Sequence, residues 1–421
     1  MASLDRQRDY HPDIQTFVKW VRDNSVSGII DPGRDDRSAE KHAAFLPYPL
    51  LEEHFKVNRR DNLKRLLRAV FPNSLPPVEA DIVARDVPKV FCILLLIGKA
   101  EYISSFTREV ALADNYLPFN IQHPPLNFPT CGSDDHFLEH FCDKQWKLCP
   151  LKMTYRTDVE LQDSLILPIV KSKKIGEGGS ATIYEIEILP EYNHLFCSHS
   201  GQTTDRTETC YTKTNTFALK TYNVNSHRAS DYYDTEVNAF KLFRNTRDVN
   251  MIGFHGSFKQ GGRFNLILEY ANEKSLEDYF QNTSPPQDGH DIIQFWESLC
   301  KVIFSINILH TQLCKPSSSK SQRINGWHQD VKPANILLSS VNAETNDRIA
   351  SPYAWNFKLA DMGISHFKPS EDGNTDQDSQ GTKTYGAPEC HRGDDVSRKN
   401  KIFVTPAVDI CSRPAANAAR W

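Results

Sequence analysis

The sequence predicts an α+β fold, with a strand-rich segment followed by a helical one and a mostly helical region in front of both. Three observations carry this. Apolar residues recur at helical spacing up to about residue 165, β-branched and aromatic runs begin near residue 168, and a long amphipathic stretch covers 291–311. At 421 residues the chain can hold two or more domains, each with its own core. Its hydrophobic and charged fractions are those of a soluble globular protein. The net charge of −4 gives no support to a nucleic-acid partner, which favours a basic stripe.

Met1 to Tyr10 is polar and charged, without the apolar stretch of a signal peptide. Ile14, Phe17, Val18 and Val21 fall on one helix face, as do Leu63, Leu66, Leu67 and Val70. Asp61 or Asn62 is the candidate cap of the second helix, and Pro72, Pro76 and Pro77 end it. The longest apolar run, Val90 to Ile97, is far short of the roughly 20 residues of a membrane span. Bracketed by Lys89 and Lys99, it reads as a core helix or strand, so no membrane span is expected. Pro118, Pro124, Pro125 and Pro129 mark an extended connection. Two roles stay open for residues 1–165, a module that binds a regulatory partner or a structural extension.

Ten cysteines, scattered from Cys92 to Cys411, do not form a secreted disulfide framework. The expected setting is reduced and intracellular, in the cytoplasm first, with the nucleus also open. Cys131, His136, His140, Cys142 and Cys149 cluster in sequence, and the two histidines at i, i+4 are compatible with zinc. Their spacing matches no zinc module, and core thiols beside surface histidines is the plainer reading.

Residues Val170–Lys174, Thr182–Ile188 and Thr216–Tyr222 read as strands, and Phe264–Leu268 as an apolar strand. A helix is expected over 231–244 with Val237, Phe240 and Phe243 on one face. A longer one over 291–311 turns Ile292, Phe295, Leu299, Val302, Ile306 and Leu309 inward. Polar inserts at Leu189–Asn215, Ser317–Gly326 and Ser340–Pro352 separate these elements.

Seven segments in a fixed order carry the chemistry. They are Gly176-Glu177-Gly178-Gly179-Ser180-Ala181, Phe217-Ala218-Leu219-Lys220, Glu236 and Leu268-Glu269-Tyr270-Ala271, then His328 to Asn335, Asp361-Met362-Gly363 and Ala387-Pro388-Glu389. Each alone has an ordinary explanation: a hairpin turn, a snorkelling lysine, a core strand. Flanking strands and the lack of a following GK[ST] disfavour a dinucleotide fold and a P-loop. As an ordered set the segments resemble the eukaryotic-type Ser/Thr protein kinases, over residues 168 to 410.

The resemblance implies a two-lobed protein-kinase-like fold, with a β-rich N-lobe and a helical C-lobe, spanning residues 166–421. It implies transfer of the γ-phosphate of MgATP to Ser/Thr hydroxyls of a protein substrate, with ATP and Mg²⁺ as cofactors. Asp330 is then the catalytic base, Lys332 neutralises the moving phosphate, Lys220 binds phosphates and Glu236 pairs with Lys220. Asp231 and Asp234 compete with Glu236, which best fits the buried register. Asn335 and Asp361 would hold the metal, and Thr382 contacts the base and lysine. The nucleotide site would be lined by Ile175, Gly176, Glu177, Gly178, Gly179, Ser180, Ala181, Ile183, Ala218, Leu268, Glu269, Ala271 and Leu337. Backbone groups of the 269–271 segment would meet adenine, and Leu268 would limit the back pocket.

Departures from the family pattern are Ala181 for a third glycine, Gln329 for the arginine before the catalytic aspartate, and Met362 for phenylalanine. Without that arginine, activation by loop phosphorylation is less expected. The stretch Glu371–Gln380 is already acidic. Val408-Asp409-Ile410 resembles the start of a central C-lobe helix, and Pro414 interrupts it. An incomplete C-lobe, from a truncated or mis-spliced longer protein, is the expectation, with a genuine short form as the rival. The functional rivals are a nucleotide-binding pseudokinase or scaffold and a small-molecule kinase of similar fold. The Thr382 and Ala-Pro-Glu segments disfavour the last.

Overall fold

The structure is a computed structural model. It describes residues 11–33, 41–130, 132, 134–178, 180–195, 214–222, 228–243, 250–311, 313–315, 322–339, 353, 355–369, 382 and 385. The chain divides into two compact units. The first comprises residues 1–153, 161–172 and 187–194, the second 154–160, 173–186 and 195–421, so the chain passes between units several times.

The first unit runs α1 (Pro12–Asp23), β1 (Val26–Ile30), β2 (Lys41–Phe45), α2 (Tyr48–Val70), α3 (Ala80–Asp86), α4 (Pro88–Ile97), α5 (Ile103–Arg108), α6 (Phe137–Gln145) and β3 (Met153–Thr154). The run from Val90 is the helix α4, and residues 90–95 are buried at its centre. Asp114 caps it by accepting from the amides of Lys89 and Val90 at 2.8 and 3.0 Å. Ile14, Phe17 and Val21 of α1 and Leu63, Leu66 and Leu67 of α2 pack around α4 in one core. Helix α2 starts at Tyr48, well before the expected cap. Left-handed Asn58 (φ 50°) and Arg60 (φ 66°) interrupt its course just ahead of Asp61. Asn62 sends its amide to the His54 carbonyl instead of capping. Among the described residues no cluster of three or more His, Cys, Asp or Glu stands ready for a metal. His136 pairs with Glu139 at 2.8 Å, Cys142 is buried, and Cys131 lies outside the described residues.

Next come β4 (Val159–Glu160), β5 (Ile169–Glu177), β6 (Ala181–Ile188) and β7 (Asn193–His194), which pairs with β3. The second unit continues with β8 (Thr216–Tyr222), α7 (Ala229–Phe243), β9 (Phe254–Gln260), β10 (Arg263–Glu269), α8 (Leu276–Asn282) and α9 (Gly289–Thr311). It ends in β11 (Leu313–Lys315), β12 (Gln322–Trp327), β13 (Ile336–Ser339), β14 (Asn356–Leu359) and β15 (His366–Pro369). Its main sheet has the order β4-β9-β10-β8-β6-β5. The fold is thus α+β with a helical N-terminal region.

Residues 322–326, expected in a polar insert, form most of β12 between β11 and β15. Pairing on both edges overrides the polar composition there. A Cβ at Gly326 would sit 2.7 Å from the side chains of both Leu309 and Phe367, so a larger residue there would have to displace them. Helix α9 has the length and apolar character of a membrane-crossing helix. Its inner face, Phe295, Val302, Ile306 and Leu309, belongs to the core of the second unit. Ile292, expected inward, is exposed, together with Ile293, Trp296, Ile303 and Phe304.

Candidate active site

Side chains alternate along a strand, so β8 places Ala218, Lys220 and Tyr222 on one face. Helix α7 turns Tyr233, Glu236, Val237 and Phe240 to its buried side. The two faces meet. Lys220 Nζ lies 2.7 Å from Glu236 Oε2 and 2.8 Å from Asp361 Oδ1. Asp231 and Asp234 are exposed and take no part. Burial alone would lower the Lys220 pKa, but the carboxylates of Asp361 and Glu236 hold it well above the ordinary lysine value.

Pairing of β13 with β14 sets Ile336 opposite Leu359 and draws the 328–335 loop against Asp361. The Ala360 amide donates to the Asn335 carbonyl at 2.9 Å, and buried His328 donates from Nε2 to the Ala360 carbonyl at 3.0 Å. Gln329 (φ 66°) and Asp361 (φ 67°) are left-handed. That conformation costs about 1–2 kcal/mol per residue. The surrounding hydrogen bonds hold it in place.

Asp330 is held at both oxygens. Oδ1 accepts from the Thr382 amide at 2.9 Å and from its hydroxyl at 2.7 Å. Oδ2 takes Asn335 Nδ2 at 3.0 Å and Lys332 Nζ at 2.8 Å. Lys332 also donates to Thr382 Oγ1 at 2.7 Å. Burial pushes the Asp330 carboxyl up, and the bonds from Lys332 and Thr382 outweigh it, leaving it below the usual carboxylate range. Asn335 spends its NH₂ on Asp330, which leaves Oδ1 as an acceptor for a cation. Asp361 has one oxygen on Lys220 and a side chain still 49% exposed. These two oxygen groups on separate loops fit Mg²⁺, which keeps waters and phosphate oxygens in its shell.

The Lys220 ammonium holds the Asp361 carboxyl down to about 2, against the opposing effect of burial. A depressed folded pKa stabilises above the unfolded value, 3.8, and that share is lost as pH falls towards 2. Asp361→Asn is therefore expected to lower the urea midpoint at neutral pH. The gap from wild type should close between about pH 4 and pH 2. A gap independent of pH over that window would show that the Lys220–Asp361 pair is not its source.

Ala181, Ala218 and Leu268 belong to the core cluster of the second unit, with Ile183, Ala271 and Leu337 packed on it. Ile175 is exposed and lies outside that cluster. At the glycine turn, Gly178 donates its amide to the Ala181 carbonyl at 2.8 Å, and Glu177 is exposed. A Cβ at Gly176 or Gly178 would meet only ordinary contacts, at 3.9 and 3.7 Å. Packing within the chain does not account for these glycines. Gly179 lies outside the described residues, as do Ala387, Pro388, Glu389, the 371–380 stretch, Ser340–Pro352 and Val408 to Trp421.

Two contacts escape sequence reasoning. Tyr222 donates its hydroxyl to Glu236 Oε2. Lys358 Nζ lies 2.6 and 2.7 Å from the two carboxylate oxygens of Glu269, which also accepts from the Gly253 amide at 2.9 Å. The Glu269 amide itself donates to the Gly253 carbonyl at 2.7 Å, so that donor is already used. Strand period places Tyr222 beside Lys220, a signal present in the sequence. The Glu269–Lys358 pair joins distant segments and leaves no local signal.

The protein kinase domain matches residues 200–412, just over half of the chain, beginning after the glycine turn. Among curated proteins, a probable serine/threonine-protein kinase nek1 of Dictyostelium discoideum is 25% identical over 166 residues, 37% of this chain and 30% of its own length. A probable serine/threonine-protein kinase PBL26 of Arabidopsis thaliana is 25% identical over 191 residues, 44% of this chain and 39% of its own. Wall-associated receptor kinase-like 14 of Arabidopsis thaliana is 24% identical over 177 residues, 42% of this chain and 22% of its own. The chain thus spans less than two-fifths of the length of these relatives. The chain belongs to the protein kinase family.

Proposed function

We propose that residues 166–421 transfer the γ-phosphate of MgATP to Ser/Thr hydroxyls of a protein substrate, with Asp330 as the base. The observation that carries this is the double hold on Asp330: Thr382 fixes one oxygen, while Lys332 and Asn335 fix the other. A carboxylate fixed in this way can accept the proton of an attacking hydroxyl without reorganising. Lys332 then sits where charge moves onto the transferring phosphate. Lys220 turns its ammonium from Asp361 to the phosphates, and Glu236 keeps it in register. Bound Mg²⁺ supplies positive charge that neutralises the phosphate oxygens. The residues that would hold it are Asp361 and Asn335. The two relatives named as serine/threonine kinases and the Lys332–Thr382 bond support Ser/Thr over tyrosine.

Phosphoamino-acid analysis tests the specificity. A mixed protein substrate incubated with the chain and labelled MgATP should contain phosphoserine and phosphothreonine. Phosphotyrosine as the main product would overturn the Ser/Thr reading. Nucleotide binding with no labelled product at all would favour the pseudokinase instead.

A further inference from the structure

We propose that Tyr222 is a positioning residue for the nucleotide, holding Glu236 in place when Lys220 turns to the phosphates. The proposal rests on the phosphoryl-transfer reading above. Tyr222 is 1% exposed and Glu236 is fully buried. Glu236 Oε2 receives both the Lys220 ammonium and the Tyr222 hydroxyl. Its other oxygen, Oε1, makes no hydrogen bond among the described residues. The carboxylate therefore depends on two donors at one atom.

Those two donors differ in what a nucleotide does to them. Lys220 already divides itself between Glu236 and Asp361, and phosphates add further acceptors for the same ammonium. Tyr222 has no such competitor. Its ring lies 5.3 Å from Lys220 Nζ and meets the Tyr233 ring edge-on, with centroids 6.0 Å apart. The Asp361–Gly363 turn closes over the pair, since a Cβ at Gly363 would lie 3.7 Å from Glu236 Oε2 and 3.9 Å from the Tyr222 oxygen. The phenol thus stands where strand β8, helix α7 and the metal-binding turn meet. A buried carboxylate left with a single, divided donor would shift, and Lys220 would shift with it.

Tyr222→Phe removes the hydroxyl and keeps both ring contacts, so the variant should fold. Binding of MgADP to the full chain, measured by calorimetry, is expected to weaken about fivefold or more. The KM for ATP should rise in parallel, while the KM for protein substrate stays unchanged. If Tyr222 acts through Glu236, adding Tyr222→Phe to Glu236→Gln should weaken binding no further. A purely structural role would lower the melting temperature of Tyr222→Phe and leave its MgADP affinity within twofold of wild type. That outcome, or additive effects in the double variant, would overturn the proposal alone. Failure of the wild-type chain to bind MgADP would overturn the phosphoryl-transfer reading together with it.

Discussion

Lys220→Met is expected to destabilise the second unit by about 3 kcal/mol and to abolish nucleotide binding. The cost comes from Glu236, which is fully buried and would keep only the Tyr222 hydroxyl as a donor. A buried ion that loses its counter-charge cannot recover the solvation it gave up on folding. Asp361 suffers less, because its side chain is 49% exposed and can turn to water. The same reasoning orders a second variant. Glu236→Gln leaves Lys220 paired with Asp361 at 2.8 Å, so it should cost less than Lys220→Met. Thermal melting of the two variants checks the order. A 3 kcal/mol loss corresponds to a fall of roughly 6–12 °C in a unit of this size. Equal melting temperatures would mean that Glu236 does not depend on the Lys220 charge.

Asp330→Asn is expected to lower the rate of phosphate transfer by about 10³-fold and leave nucleotide affinity unchanged. The amide retains an acceptor oxygen for Thr382 but cannot take a proton from the substrate hydroxyl. It also presents an NH₂ where Lys332 and Asn335 both donate, so both of those bonds are lost. Ala181, Ala218 and Leu268, the residues proposed to meet the adenine, belong to the core of the second unit and make none of the bonds to Asp330. Single-turnover kinetics beside equilibrium binding separates the two effects. Parallel loss of affinity and rate would place Asp330 in nucleotide binding instead.

What could be read from the sequence was whatever local periodicity encodes. Residues 216–222 read as a strand carrying Lys220, and the helical register of α7 separates Glu236 from Asp231 and Asp234. The Asp330-x-Lys332 and Asn335 spacing lies on one loop, so its mutual contacts follow from chain continuity. The contacts that were missed depend on tertiary approach. Lys358 meets Glu269 only because strand β14 and the end of β10 converge in the fold. β12 forms because β11 and β15 flank it, although its residues look like a polar insert. Tyr222 is the instructive case, since its position two residues after Lys220 was visible. A tyrosine in an apolar strand passes for core until its hydroxyl is seen on Glu236.

The most direct measurement is labelled γ-phosphate transfer from MgATP to a generic Ser/Thr protein substrate, wild-type chain against Asp330→Asn. Transfer by the wild type, reduced about 10³-fold in the variant, is the predicted result. Equal transfer by both chains, or none by a wild type that binds MgATP, would contradict the assignment of Asp330 as the base of a working kinase.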